Sequence, residues 1–276
     1  MRQRIYTLTR YLLRDLARSV TGLFYLLFAF AYWLILFPPG QGTPDIDNYI
    51  LIIAVFGMVA TFLATLSITT RANHALNYPL VARLASRVEY LTAVLFAAIL
   101  FALALQLLVA ILALIRGPDI TLWHVIELPP IWIAPNILAA VLALHASDFV
   151  TSGWSRVYIY GILGIFLFAQ TNGGTVSGWI ATLSNTISDL LFRQDWVFLG
   201  TQFSNLSDWL TRDSSANLAE LLGFLFWPFR ALIEAVTRGS FTPTEALAPA
   251  IMLLYATILF LLASDFFATK DLELTE

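Results

Sequence analysis

Few residues in this chain have types and spacing suited to chemistry. His145 stands three residues before Asp148, and a His with a carboxylate one helical turn away can hold a metal or haem through its other ring nitrogen. A bis-His haem needs a second His at matching depth. The other two, His74 and His124, fall in segments read below as loops on opposite sides of a membrane. The pair reads more simply as polar groups at a helix end. Cysteine is absent, which removes disulfides, thiolate metal sites, iron–sulfur clusters and a cysteine nucleophile. The sequence holds no G-x-S-x-G, no H-E-x-x-H and no pair of carboxylates in a shared apolar setting. Its 15 cations are 14 Arg and one Lys, Lys270, and Lys270 lies outside any phosphate-binding loop of the G-x-x-x-x-G-K-[ST] type. The chain is therefore expected to be no enzyme, with no catalytic residues, no metal site and no cofactor.

The elements around these residues explain why chemistry is sparse. Of 276 residues, 59% are hydrophobic and only 12% charged, about half the charge of an ordinary soluble domain. Mean hydropathy is +0.79. A water-soluble domain of this size lacks the interior to hide so much apolar surface, so the fold class is all-α, a polytopic membrane protein. A net charge of −3 gives no reason to expect nucleic acid as a partner. A spanning helix needs about 20 mostly apolar residues. Six stretches qualify: 19–37, 48–70, 90–115, 131–147, 149–170 and 246–264. The first ends at Pro38-Pro39-Gly40 and the fourth follows Pro129-Pro130, where helices are expected to stop or start. The fifth carries Arg156 near its start, whose side chain can reach the headgroups. Within the spans, Thr61, Thr65 and Ser67 of the second and Gln106 of the third are read as the polar lining of a pathway or as interhelical hydrogen-bonding groups.

Arginine sets the orientation. With the N-terminus cytoplasmic, the inner segments hold Arg2, Arg4, Arg10, Arg14, Arg18, Arg71, Arg83, Arg87, Arg156 and Lys270, and the short outer loops hold only Arg116. By the positive-inside rule both termini are cytoplasmic, and the expected location is the cell membrane.

Three segments outside the spans are amphipathic. Residues 1–18 read as an interfacial helix, with Ile5, Leu8, Leu12 and Leu16 on one side and Arg10, Arg14 and Arg18 on the other. It would lie on an anionic leaflet or serve as the positive flank that orients the first span. Residues 71–89, between the second and third spans, repeat Leu76, Leu80, Leu84 and Val88 at four-residue spacing, with Arg83 and Arg87 beside them. That pattern suits a helix under the membrane that presents a face to a cytoplasmic partner, or a surface helix without one. Residues 171–245 form a long outer segment. Trp179, Leu183, Ile187, Leu190 and Leu191 suggest one amphipathic helix. Leu218 to Ile233 suggest another, kinked at Pro228, with Ser215 or Asn217 and Glu220 as its cap. Four Trp (179, 196, 209 and 227) favour helices dipping into or lying on the outer leaflet; a seventh and eighth span are the alternative.

This order of elements resembles the ABC-2 class of ABC transporter permeases. The local match is Leu84-Ala85-Ser86-Arg87-Val88-Glu89-Tyr90, similar to the P-x-S-R-x-E run that those permeases carry before their third span. Here the family's proline is missing, and Asn77 stands where an acidic residue is common. The resemblance implies a separate ATP-binding subunit docked on residues 71–89, with Leu76, Leu80, Arg83, Leu84, Arg87 and Glu89 as the docking set. It also implies a second permease subunit, the same or different, and a lipid-like or amphiphilic substrate. A membrane anchor or scaffold in a larger complex, without transport, is the alternative function. A haem-binding subunit resting on His145 is a third.

Overall fold

The structure, a computed structural model, describes residues 2–38, 45–73, 86–115, 122–150, 161, 178, 180–212 and 226–269. Every helix or strand among them is a helix. We number them α1 (Arg2–Ala17), α2 (Val20–Leu36), α3 (Ile46–Ala72), α4 (Arg87–Leu114), α5 (Leu122–His145), α6 (residues 180–193), α7 (Val197–Arg212), α8 (Trp227–Arg238) and α9 (Ala248–Thr269). The chain divides into two compact units, one of residues 1–157 with 231–276 and one of residues 158–230.

Among the described residues of the first unit four helices are long and apolar enough to cross a membrane: Ile46–Ala72, Arg87–Leu114, Leu128–His145 and Glu245–Thr269. The bent pair α1–α2 makes a fifth if it counts as one span. The protein is thus membrane-embedded and all-helical. The expected span at 149–170 lies outside the described residues apart from its first two positions and residue 161. At about 1.5 Å per residue, the 27 residues of α3 reach roughly 40 Å, enough for a hydrocarbon core of about 30 Å with helix to spare.

α3 is central, packing along α4 and α5, while α9 covers α5 and α1 lies on α4. Tyr49, Ile53 and Phe56 of α3, Tyr90 and Leu91 of α4, Leu144 of α5, and Met252 and Phe267 of α9 are fully enclosed. α5 differs from its sequence reading. It runs from Leu122 through Pro129, Pro130 and Pro135 instead of starting after the first two. A proline's fixed φ is helical and costs mainly the missing N–H, a loss that membrane helices tolerate when neighbours satisfy the freed carbonyls.

α1 also departs from expectation. Leu8, Leu12 and Leu16 are buried, but against α4 rather than a lipid leaflet, and the Thr9 hydroxyl donates to the Ala93 carbonyl at 3.4 Å. Each buried Leu contributes about 1.5–3 kcal/mol relative to exposure to water, so protein contact suffices to hold the helix. α1 and α2 then meet at 71°. Ser19 makes this corner: its hydroxyl donates to the Leu16 carbonyl at 2.7 Å and accepts from the Gly22 amide at 3.1 Å. Gly22 is required by close approach, because a Cβ there would overlap the Leu16 carbonyl.

Between α8 and α9 a stop signal is followed by a start signal. The Ser240 amide reaches the Ala235 carbonyl at 3.2 Å and the Gly239 amide reaches Val236 at 2.9 Å, the double bond that closes a helix C-terminus. Thr242 and Glu245 then form a capping box: the Thr242 amide donates to Glu245 at 2.9 Å and the Glu245 amide to the Thr242 hydroxyl at 3.3 Å. Arg238 pairs with both oxygens of Glu245 at 3.0 Å.

In the second unit α6 and α7 form an antiparallel hairpin. Ser184 donates to the Phe203 carbonyl at 2.8 Å, Ser188 to Gly200 at 2.7 Å and Ser207 to Ala181 at 3.0 Å. Small side chains let two backbones approach closely, so the inner face is Ala181, Ser184 and Ser188. Leu183 and Leu190, from the apolar stripe expected to meet the outer leaflet, face away from this interface.

Candidate functional site

The polar side chains of the bundle gather at two places. The first is its centre. Gln106 of α4 donates through Nε2 to the Ile53 carbonyl of α3 at 3.0 Å, and its Oε1 accepts from Asn136 Nδ2 of α5 at 2.7 Å. Both side chains are fully buried. Gly57 opens the space: a Cβ there would run into the Gln106 carboxamide. Nearby, the Tyr49 hydroxyl donates to Ala110 at 3.0 Å and the Trp132 ring N–H to Ile50 at 3.2 Å. Asn136 Oδ1 is buried without a hydrogen-bond partner.

The expected lining residues lie along this α3 face or beside it. Thr61 and Thr65 are fully buried and donate to the Gly57 and Thr61 carbonyls of their own helix at 2.7 Å each. Ser67 is half-buried and pairs with the Tyr25 hydroxyl of α2 at 2.8 Å. All four therefore have partners within one chain. Asn136 was missed by reading the sequence, although an Asn behind Pro135 inside an apolar run is a legible signal.

The second place is the end of the bundle where α3 and α5 finish and α4 begins. Arg71 of α3 pairs with Asp15 of α1 at 3.0 Å and with the Thr21 hydroxyl at 2.9 Å. Ser86 caps α4, accepting from the Val88 amide at 3.3 Å. Arg87 donates to the Ala268 carbonyl of α9 at 3.5 Å, and the Tyr90 hydroxyl donates to Ala72 at 3.2 Å. Glu89 is buried, with Oε2 unpartnered. Phe149 stacks between Tyr90 and Phe267, its ring centre 5.8 Å and 4.6 Å from theirs. His145 sits here as well: its Nε2–H donates to the Leu259 carbonyl of α9 at 2.8 Å, with its ring edge-to-face on Phe266.

Of the docking set, Arg87 and Glu89 belong to the first turn of α4, and Arg71 belongs to α3, so the segment read as 71–89 is shorter than its sequence pattern. Leu76, Leu80, Arg83 and Leu84 lie outside the described residues. Pro228 stands at the second position of α8, a place where its missing N–H costs nothing; the part of the expected helix before residue 226 lies outside the described residues. The proposed cap at 215–220 lies outside the described residues. The helix α7 had no counterpart in the sequence reading.

Chemically, the central cluster is neutral: amides and hydroxyls hold helices together and neither donate nor take up protons near neutral pH. Among the described residues no three His, Asp or Glu side chains come together as a metal-ligand set. The bundle end carries paired and exposed arginines and joins α1, α2, α3, α4 and α9 through side-chain contacts. Compared with known proteins, the chain matches no family model, no curated protein and no solved structure.

Proposed function

We propose that this chain is the membrane-spanning permease subunit of an ABC transporter of the ABC-2 class, driven by a separate ATP-binding subunit. One observation carries the reading. α3 ends and α4 begins at one junction that ties together α1, α2, α3, α4 and α9. Arg71 at one side is tied to α1 and to the start of α2, while Arg87 and Tyr90 at the other reach α9 and α3. A push on the segment between them would reach the packed bundle as a whole, which is what rigid-body rocking of a subunit requires. The docking contact is assigned to Leu76, Leu80 and Leu84, with Arg83 and Arg87 at its edge.

Charge supports the sidedness. The junction end carries Arg14, Arg18, Arg71 and Arg87, whereas the opposite end carries Asp45, Asp47 and the Arg238–Glu245 pair. The positive-inside rule then puts the junction in the cytoplasm of the cell. Because Thr61, Thr65 and Gln106 are occupied within one chain, a path for an amphiphilic substrate runs between two permease subunits, not through one.

The test is co-purification. The tagged chain, drawn from detergent-solubilised membranes, should bring down a protein with Walker motifs. Replacing Leu80 and Leu84 by Asp should weaken that association by more than about tenfold, since each buried Leu is worth about 1.5–3 kcal/mol. Membrane insertion should be unchanged. Absence of any ATPase from the wild-type complex, or full retention by the inserted double variant, would overturn the reading.

A further inference from the structure

The α6–α7 hairpin uses its small residues for its interior and leaves seven large apolar side chains exposed. Those large residues are not spread evenly. Phe192, Trp196, Val197, Phe198 and Leu199, at the turn, are 41–74% exposed. Away from the turn the exposed positions are polar, among them Asn185, Asp189, Gln202, Asn205 and Asp208. Leu183 is the one large apolar side chain exposed further down among the described residues. The hairpin thus has a polar stem and an apolar end.

The turn holds this end in one shape. The Trp196 amide reaches the Leu191 carbonyl at 2.9 Å and the Asp195 amide reaches Phe192 at 3.2 Å. Asp195 takes the left-handed conformation, φ 60°, that this double closure demands. Below it, the three serine hydroxyls fix the two helices to each other's carbonyls. All eight residues from 192 to 199 are exposed, so the end is a projection and not a groove.

We propose that this end, residues 190–199, inserts into one leaflet of the bilayer that the long helices cross, while the stem stays in water. Three features select lipid over a protein partner. The end is a projection exposed on every side, which suits a fluid medium that moulds around it rather than a surface of fixed shape. Its only charges, Arg193 and Asp195, cancel, so no electrostatic complement picks out an acidic or basic protein. Its composition, one Trp among Phe, Leu and Val with an Arg whose stem can lie along apolar surface, is that of an interfacial anchor. The inference stands apart from the permease reading, because it rests on the hairpin's own surface and not on what the membrane-crossing helices do.

The absence of native cysteine makes the test direct. Single variants Phe198→Cys and Asn205→Cys of the full chain are labelled with a polarity-sensitive fluorophore and placed in phosphatidylcholine nanodiscs. The label at 198 should emit to the blue of the label at 205 and be quenched by doxyl-bearing lipids. The label at 205 should be quenched by aqueous iodide and not by those lipids. Val197→Cys repeats the measurement from the neighbouring position, so one misfolded variant does not decide the result. Three outcomes overturn the proposal: iodide quenching without lipid quenching at 197 and 198, which leaves the end in water; shielding from both quenchers, which means a protein covers it; or equal lipid quenching at 198 and 205, which submerges the stem.

Discussion

Gln106 has the direction of its amide dictated by a backbone group on another helix. The Ile53 carbonyl can only accept, so Gln106 must offer it Nε2 and turn Oε1 toward Asn136. Asn136 must then answer with Nδ2, which leaves its Oδ1 unpartnered. The chain of orientation makes the pair a unit, and single and double changes should differ. Gln106→Leu strands both polar atoms of Asn136 and is expected to cost about 1–3 kcal/mol, read as a lower unfolding temperature in detergent. Adding Asn136→Leu should return most of that loss, because removing both partners of a hydrogen bond is nearly neutral. If the double variant is no more stable than Gln106→Leu, the amides are not coupled. Gly57→Ala should destabilise by about 1–3 kcal/mol through overpacking, and by less in a Gln106→Ala background, where nothing blocks the added methyl. Thr61, Thr65 and Gln106 stand out in the sequence as polar residues in apolar runs. Which of them pair with another helix is not legible there, since a threonine that bonds its own preceding turn looks the same in sequence as one that bonds a neighbour.

At the scale of elements, α1 shows that an amphipathic pattern specifies a helix without naming its neighbour. Its spacing of Leu8, Leu12 and Leu16 specifies a helix with one apolar side, and the same spacing serves equally for lipid or for protein. Contact with α4 and the corner at Ser19 and Gly22 decide for protein. Leu16→Ala is expected to cost about 2–5 kcal/mol as a core truncation. Hydrogen exchange should quicken in α1 well before it does in α3; unchanged exchange in α1 would place its apolar side elsewhere. Before α9, Thr242→Ala removes a cap of the short 3₁₀ turn Glu245–Leu247, worth about 0.5–2 kcal/mol, and faster exchange of the Glu245 and Ala246 amides would report it. That capping box reads plainly as Thr-Pro-Thr-Glu in the sequence. The inner face of α6 does not read so plainly, because serine on a helix next to an apolar stripe looks like the solvent side until a second helix supplies the carbonyls.

For the whole molecule, sidedness is the first thing to measure. A reporter active only in the cytoplasm should work when fused after Lys270 or within residues 71–87, and should stay silent after Gly117 or Ser207. Activity at Ser207 would put the α6–α7 hairpin on the cytoplasmic side and undo the assigned orientation. By itself the sequence determined that this is an all-helical membrane protein with several long apolar helices. Those properties follow from composition and from periodicity along the chain, and a bilayer imposes them on each segment separately. Only the tertiary structure decided which polar groups meet, that α1 belongs to the bundle, and that the serine side of α6 is the inside. Each of these depends on residues far apart in sequence, such as 15 and 71, 106 and 136 or 184 and 203. No local pattern encodes such a pairing, because the free energy resides in the fit between two surfaces and not in either one alone.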